Sequence, residues 1–360
     1  MNICFIHNVN VIGGAERVSL SIMRNVSAKH NMHLVSPKKG QLSDEARKLG
    51  VKQHTHDLAQ PELTSPFKTL GSRLKWRKIA THHKIDIFHC ADLLSARSVL
   101  NATRSLNVKV ICHIHFPFSE EFANWVFNNR AQPHGFIFCS EELQNTQATI
   151  LQKLCPSSKQ WVVHNGVDTE KFTPLDIKNP KPKVGIIANL QFRKGHDDFL
   201  EMANILSKEG YELNYEIIGG DILQEPREHL LKEKAIELGL QDQVSFHGQI
   251  SDVKSILQSL DVVVCASHEE AFPISILEAM SCEKYIVSTN VNGIPEAMID
   301  KETGILVQPF KPDELAKGVK LIVDDPIACT EYAKKARDRV IKYFSERYFN
   351  KKIDDIYNSL

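Results

Sequence analysis

The sequence predicts an α/β protein of two Rossmann-like domains facing each other across a cleft, followed by a C-terminal helix. Three observations carry this. Short apolar runs alternate with helical patterns from end to end, the runs are continuous rather than alternating, and the pattern starts afresh after residue 172. Continuous apolar strands, each followed by a helix, belong to parallel sheets covered on both faces. At 360 residues and 42% hydrophobic content, the chain can fill two such cores.

In the first half, Ile3–Ile6, Val108–Ile114, Phe136–Cys139 and Trp161–Val163 read as strands, and Ala15–Val26 as an amphipathic helix. In the second half the strands are Val184–Ile187, Tyr215–Ile218, Val262–Cys265 and Tyr285–Val287, with a helix over Asp313–Val323. The polar stretch from Phe172-Thr173-Pro174 to Asn179-Pro180-Lys181-Pro182 reads as an interdomain linker. The expected division is therefore 1–172, 173–344 and 345–360. The last is one amphipathic helix with Phe349, Ile353, Ile356 and Tyr357 on a shared face, and the sequence assigns it to neither domain.

Lys+Arg and Asp+Glu number 44 each, which excludes a nucleic-acid binder working by bulk positive charge. The halves differ, however. Residues 1–175 hold 21 basic and 13 acidic side chains (+8), and the remainder hold 23 and 31 (−8). The basic half suits an anionic partner. Met1 leads at once into a strand without a targeting pattern, and the longest apolar run, Val262–Ala266, is far short of a membrane span. The eight cysteines include no Cys-x-x-Cys pair and read as reduced, buried thiols. These features together predict a cytoplasmic protein.

Three stretches carry chemistry. Gly13-Gly14-Ala15-Glu16 follows the first strand and opens a helix, where free N–H groups and the helix dipole favour an anion; taken alone, it is an ordinary strand-to-helix turn. Gly-x-Gly-x-x-Gly is absent, so hydride transfer loses its main support. Arg193-Lys194-Gly195-His196 lies between the first strand and first helix of the second domain, with cations and turn N–H donors suited to a diphosphate. A basic pair on a loop is commonly a solvated surface, but the cleft end of a strand is where ligands bind. The richest stretch runs from Ser267 to Met280. Pro273 stands where a helix begins, Phe272, Pro273 and Ile274 are expected to present free backbone N–H groups toward the cleft, and Glu270 and Glu278 frame a place for an anion and hydroxyl-rich groups. The plainer alternative makes Glu270 a helix cap and Glu278 a solvated face.

Taken together, Gly13-Gly14-Ala15-Glu16, His164-Asn165-Gly166-Val167-Asp168, Arg193-Lys194-Gly195, Ile218-Gly219-Gly220-Asp221, Phe246-His247-Gly248 and Glu270 to Glu278 resemble the family-four retaining glycosyltransferases (glycosyl transferases group 1) of the GT-B fold. The most specific part is Glu, seven residues, Glu, continuing into Leu-Glu-Ala-Met. The resemblance implies that the second domain binds a nucleotide-sugar, a UDP-sugar favoured over a GDP-sugar. The first domain would bind a hydroxyl acceptor such as a lipid-linked glycan.

Carried onto this chain, the resemblance gives Lys194 and Arg193 the donor diphosphate, with Gly14 offering a backbone N–H. Glu270 would contact the sugar hydroxyls and Glu278 the ribose. The backbone of Phe272, Pro273 and Ile274 would bind sugar and phosphate oxygens, His115 would lie at the donor sugar, and Ile250 and Ser251 would meet the base. Glu270, His115 and Lys194 are thus the expected catalytic set. Two departures from the family pattern stand out. Asn189 replaces a basic residue, and Ala271 stands where glycine is usual. The family activity implied is retaining transfer, without cofactor or metal, in cell-surface polysaccharide or glycolipid synthesis. An epimerase- or phosphorylase-like enzyme and a non-catalytic binding protein of the same fold are the alternatives.

His54-Thr55-His56-Asp57 resembles a metal cluster but lacks further ligands at fixed spacing, and Asp-x-Asp is absent, so no metal is expected. His89 and His113 read as strand histidines satisfied locally. Phe67 to Lys84 interleaves six cations with Leu70, Leu74, Trp76 and Ile79. It is either a core-packed helix with a solvated basic face or a peripheral contact with the inner face of the cytoplasmic membrane.

Overall fold

The computed structural model describes every residue except 62, 63, 129, 130, 223, 224 and 251, and the chain divides into two compact units. The first is Met1–Gly166 together with Glu346–Leu360, and the second is Val167–Ser345.

The first unit is built on strands β1 (Asn2–Ile6), β2 (Asn31–Ser36), β3 (Lys52–Thr55), β4 (Ile87–Cys90), β5 (Lys109–Ile114), β6 (Gly135–Phe138) and β7 (Lys159–Val162). They form one sheet in the order β3-β2-β1-β4-β5-β6-β7, and every pairing is parallel. Helices α1 (Gly14–Val26), α2 (Gln41–Lys48), α3 (Pro66–His82), α4 (Leu93–Thr103), α5 (Glu120–Phe127) and α6 (Glu141–Leu154) alternate with the strands. Ile3 to Ile6 of β1 are fully buried, as a strand covered on both faces must be. The strand order reverses between β1 and β4, the switch point where strand-end loops diverge and ligands bind.

Strands β2, β3 and β4 are not apolar runs in the sequence, because each is short or broken by a histidine: His33, His54 and His89. Two of these, His33 and His89, are buried. Burial pushes His89 down to about 3 and His33 down to about 4, so both are neutral and fit a sheet interior that a charged side chain would not.

The C-terminal helix (Glu346–Asn358) belongs to this unit and is not a segment apart. It packs on α1 and buries Phe349, Ile353, Ile356 and Tyr357. Asp354 accepts from Lys29 Nζ at 2.5 Å and meets His30 Nε2 at 2.8 Å, and the Tyr357 hydroxyl meets His89 Nδ1 at 2.6 Å.

The second unit repeats the plan with β8 (Lys183–Ile187), β9 (Asn214–Ile218), β10 (Val244–Phe246), β11 (Val262–Cys265), β12 (Tyr285–Thr289) and β13 (Ile305–Val307). The sheet order is β10-β9-β8-β11-β12-β13, again entirely parallel. Its helices are α7 (His196–Lys208), α8 (Glu228–Glu237), α9 (Val253–Ser259), α10 (Ile274–Ser281), α11 (Ile294–Ala297), α12 (Pro312–Val319), α13 (Leu321–Asp324) and α14 (Pro326–Tyr343). Val184, Ile186, Ile217, Val262 and Val264 meet Phe199 and Leu206 of α7 and Val319 of α12 in its core.

Two boundaries differ from the sequence reading. The helix expected over Asp313–Val323 is two pieces, because the bonding changes around Lys320: its N–H reaches back four residues to Ala316, whereas the Val323 N–H reaches back only three. The stretch read as a linker is anchored on the second unit, and the break lies between Gly166 and Val167. Phe172 is buried and its carbonyl accepts from Ser281 Oγ at 2.6 Å. Gln258 Nε2 donates to the Thr173 carbonyl, and Asn179 Nδ2 to that of Ser259. Proline content here marks an extended strap held by side chains, not a free tether.

All eight cysteines are buried. Among the described residues, no helix is long and apolar enough to cross a membrane.

Candidate active site

In the second unit the site is set by how closely three strand-end loops approach one another. Gly219, after β9, has φ +149°, and a Cβ there would lie 1.8 Å from the Ala188 carbonyl oxygen. Gly195, after β8, has φ +70°, and its Cβ would lie 1.9 Å from the carbonyl oxygen of Ala266 after β11. Only glycine permits either approach. The second contact lays Arg193-Lys194 along the loop after β11, where the His268 N–H donates to the Arg193 carbonyl at 2.7 Å.

Lys194 Nζ is thereby brought into an ion pair with Glu270 Oε1, both side chains being largely buried. Ser267 Oγ donates to the same carboxylate oxygen at 3.0 Å. The loop holding Glu270 is fixed through its backbone: the Glu270 N–H donates to Asn292 Oδ1 at 3.2 Å, and its carbonyl accepts from the Gly293 N–H at 3.2 Å. Glu270 is therefore not a helix cap, the role the plainer reading gave it. Arg193 lies beside this pair but points elsewhere, donating to the Glu269 carbonyl and to Gln191 Oε1, each at 3.2 Å.

Helix α10 begins directly after Phe272-Pro273. Pro273 is its N-cap residue and carries no N–H, so it cannot donate as the sequence reading supposed; Phe272, Ile274 and the residues after it must supply the donors. The first N–H groups of α10 have no acceptor within the helix. The Phe272 side chain is buried against Phe344, with ring centroids 5.4 Å apart, which leaves its backbone as the part that can serve a ligand. Glu278 is buried in α10 and does not form a solvated face. Ile250 is half-buried in the loop after β10, and Ser251 lies outside the described residues.

His196, the first residue of α7, is buried with both ring nitrogens lacking a partner among the described residues. Burial, with Arg227 and Lys194 nearby, pushes it down to about 3.

In the first unit, the loop after β1 is held by a short polar chain. The Gly13 N–H donates to Glu16 Oε2 at 2.9 Å, Glu16 Oε1 meets His7 Nδ1 at 3.3 Å, and His7 Nε2 meets Ser19 Oγ at 2.9 Å. Burial opposes ionisation of Glu16, but the interactions with His7 and the Gly13 N–H overcome it and hold the carboxyl below its usual range. Gly14 starts α1, and a Cβ there would meet nothing within 4 Å, so the protein's own packing does not demand glycine. His115, just after β5, is buried and stacks on His113 at 4.1 Å; its Nε2 has no partner among the described residues. Burial pushes it down to about 4, which makes it a neutral hydrogen-bonding group.

The remaining histidine readings change. His89 and His113 are not satisfied locally, because His89 bridges Tyr357 and His113 Nδ1 (3.2 Å). His54 and His56 do not share a site. The His56 ring stacks on Trp76 and its Nδ1 accepts from the Leu58 N–H at 2.9 Å, while His54 turns toward His33. In helix α3, Trp76 and Ile79 are core, whereas Phe67, Leu70 and Leu74 are exposed among the cations.

Residues 12–171 match the family described as Glycosyltransferase Family 4, and residues 167–339 match Glycosyl transferases group 1. The chain is a family 4 glycosyltransferase. It is 24% identical over 330 residues, 84% of each chain, to the N,N'-diacetylbacillosaminyl-diphospho-undecaprenol alpha-1,3-N-acetylgalactosaminyltransferase of Campylobacter jejuni. Among solved structures it resembles a glycosyltransferase from Rickettsia africae (TM-score 0.86, 21% identity, 99% and 98% of the two chains). It also resembles Anabaena Alr3699/HepE in complex with UDP and glucose (TM-score 0.84, 19% identity, the whole of both chains). These likenesses agree with two parallel-sheet, Rossmann-like units of the GT-B fold.

In this glycosyltransferase the sequence reading overlooked the residues that hold the others. Ser267 and Asn292 fix Glu270, and His7 with Glu16 fixes the Gly13-Gly14 turn. For Glu16 a signal existed, since a glutamate three residues after the turn has capping-box spacing. Asn292 is brought in by β12 and its following loop, and no local pattern marks it.

Proposed function

We propose that this glycosyltransferase moves a sugar from a UDP-sugar to a hydroxyl of a lipid-linked glycan, with retention at the anomeric carbon and without a metal in the transfer step. The observation that carries the reading is the buried Lys194–Glu270–Ser267 set beside the start of α10. It puts a cation, a hydroxyl-accepting carboxylate and helix N–H donors in one place, as a sugar diphosphate requires.

Lys194, helped by Arg193, and the first N–H groups of α10 neutralise the diphosphate as it leaves with growing charge, which is stabilisation realised mainly in the transition state. Glu270 accepts hydroxyls of the donor sugar, the backbone of Phe272 and Ile274 binds sugar and phosphate oxygens, Glu278 takes the ribose and Ile250 lies by the base. Gly14 contributes an N–H to the phosphates, and the Cβ-free space around it is room that a ligand can use. Neutral His115 hydrogen-bonds the donor sugar. No side chain acts as nucleophile: the acceptor attacks on the face the phosphate leaves, and the phosphate takes its proton.

Two similarities support the donor and acceptor classes. Anabaena HepE was solved with UDP and glucose, and the name of the Campylobacter relative describes a lipid-linked acceptor. The exposed face of α3, with Phe67, Leu70 and Leu74 among Lys68, Arg73, Lys75 and Lys78, suits an anionic membrane surface on which such an acceptor resides.

A thermal-shift series with UDP, GDP, ADP, CMP and dTDP, first without metal and then with magnesium, tests the donor. A ligand at 100 times its Kd adds about 2.7 kcal/mol to the native state, so UDP should raise Tm without metal. A shift with GDP alone, or only with magnesium, would overturn the assignment. Product stereochemistry by NMR tests retention, and an inverted linkage would refute it.

A further inference from the structure

We propose that His33, His54 and His83 form a binding site for a divalent ion of the zinc class, which ties the end of α3 to the edge of the first unit's sheet. The argument begins with register. In the parallel β2–β3 pair, Val35 stands opposite His54, so His33, two residues before Val35, lies diagonally across on the same face. His83 follows immediately after α3 and meets both rings. One nitrogen from each of the three imidazoles lies within 4.8 Å of the others. Nitrogens at 2.0–2.1 Å from a tetrahedral zinc stand about 3.4 Å apart, so small rotations of the two half-exposed rings close the site. Among the described residues, no other three metal-binding side chains converge in this way.

Among the described residues, the only hydrogen bond within the cluster joins His33 to His54. His7 has Glu16 and Ser19, and His56 has the Leu58 N–H. His33, by contrast, has only His54 on its Nδ1 (2.9 Å), and its buried Nε2 has no partner among the described residues. The ring centroids of the three stand 4.3 to 5.3 Å apart, and the charged neighbours are Lys52 and the adjacent His82. Imidazole ligands suit zinc, copper and nickel, and a solvent molecule can take the fourth position because His54 and His83 are half-exposed. Strand β3 is the short edge of the sheet, and the ion would clamp that edge to the helix carrying the exposed apolar and basic face.

The test is a cobalt(II) titration of the full chain after chelation and dialysis, followed by displacement with zinc. Expected is one equivalent with the visible band of tetrahedral cobalt, lost on adding zinc. His83→Gln should weaken cobalt binding by at least about 100-fold, and His82→Gln should leave it unchanged. His54→Gln is the second ligand variant, and circular dichroism of each metal-free variant checks folding. The UDP-induced Tm shift should persist in all of them, so this proposal and the donor assignment fail separately. Absence of saturable binding, several weak equivalents, or wild-type affinity in the folded His83→Gln protein would overturn the site.

Discussion

The two units share a strand order and differ in what they bury. Each is a parallel sheet whose first strand is central and whose order reverses beside it. Yet twelve of the sixteen histidines lie in the first unit, where they pair with one another, with Tyr357 and with Glu16. The second unit instead buries a lysine–glutamate pair at its loops and flanks it with Arg227–Asp197. One topology thus supplies the same loop positions twice. Histidines around the single carboxylate of Glu16 fill them in one unit, and a lysine–glutamate ion pair fills them in the other. A diphosphate needs the charges, whereas sugar hydroxyls can be held by neutral groups.

The largest expected effect comes from breaking the charged set. Glu270→Ala should lower transfer by about 10²–10³-fold while UDP binding persists, because Lys194 is then released from its partner. Lys194→Ala should weaken UDP binding and transfer together. Calorimetry with UDP beside a transfer assay separates the two, and a Glu270→Ala enzyme with unchanged turnover would remove Glu270 from the site.

Next comes a glycine in each unit. Gly195→Ala places a methyl group 1.9 Å from a backbone oxygen at φ +70°, and should destabilise the protein by about 3 kcal/mol. Gly14→Ala meets nothing within 4 Å and should leave stability within about 0.5 kcal/mol, while transfer falls by about tenfold. Urea unfolding and an activity assay on both variants decide this. Equal stability losses would show that Gly14 is a packing glycine like Gly195.

Acid should separate the units further. His33, His54 and His115 titrate at about 4 and His89 at about 3, all lowered first by burial, against about 6.5 when unfolded. Between those values the unfolded chain binds protons that the folded one does not. Stability is therefore full above about pH 6.5, falls as pH drops toward 4, and levels off below. All three tryptophans (Trp76, Trp125 and Trp161) lie in the first unit, so their fluorescence reports it alone. A tryptophan-detected Tm that stays constant from pH 7 to 4.5 would contradict the lowered values.

Much of this was readable in the sequence, for identifiable reasons. Apolar runs such as Val262–Cys265 and the helix signal at Pro273 are local, and so is the spacing from Glu270 to Glu278. What escaped is non-local. Asn292 reaches Glu270 across 22 residues and Asp354 reaches His30 across 324. Strands β2 to β4 hid behind histidines that look polar in a sequence and are neutral in the sheet. The supposed linker hid its role because backbone carbonyls, which any residue carries, anchor it to Ser281 and Gln258.

The smallest effect probes the join between the C-terminal helix and the histidine chain. Tyr357→Phe deletes one hydroxyl and leaves His89 Nδ1 buried without its 2.6 Å partner, while the ring packing is kept. Leaving one buried polar atom unsatisfied costs about 1–3 kcal/mol, and removing a hydroxyl with its ring retained falls at the low end. Urea unfolding followed by tryptophan fluorescence measures it in the first unit. The loss should vanish in the His89→Phe background, where no ring nitrogen is left to satisfy. If the double variant loses as much again, the hydroxyl stabilises the helix through another partner, and the link from Tyr357 to His89 contributes nothing of its own.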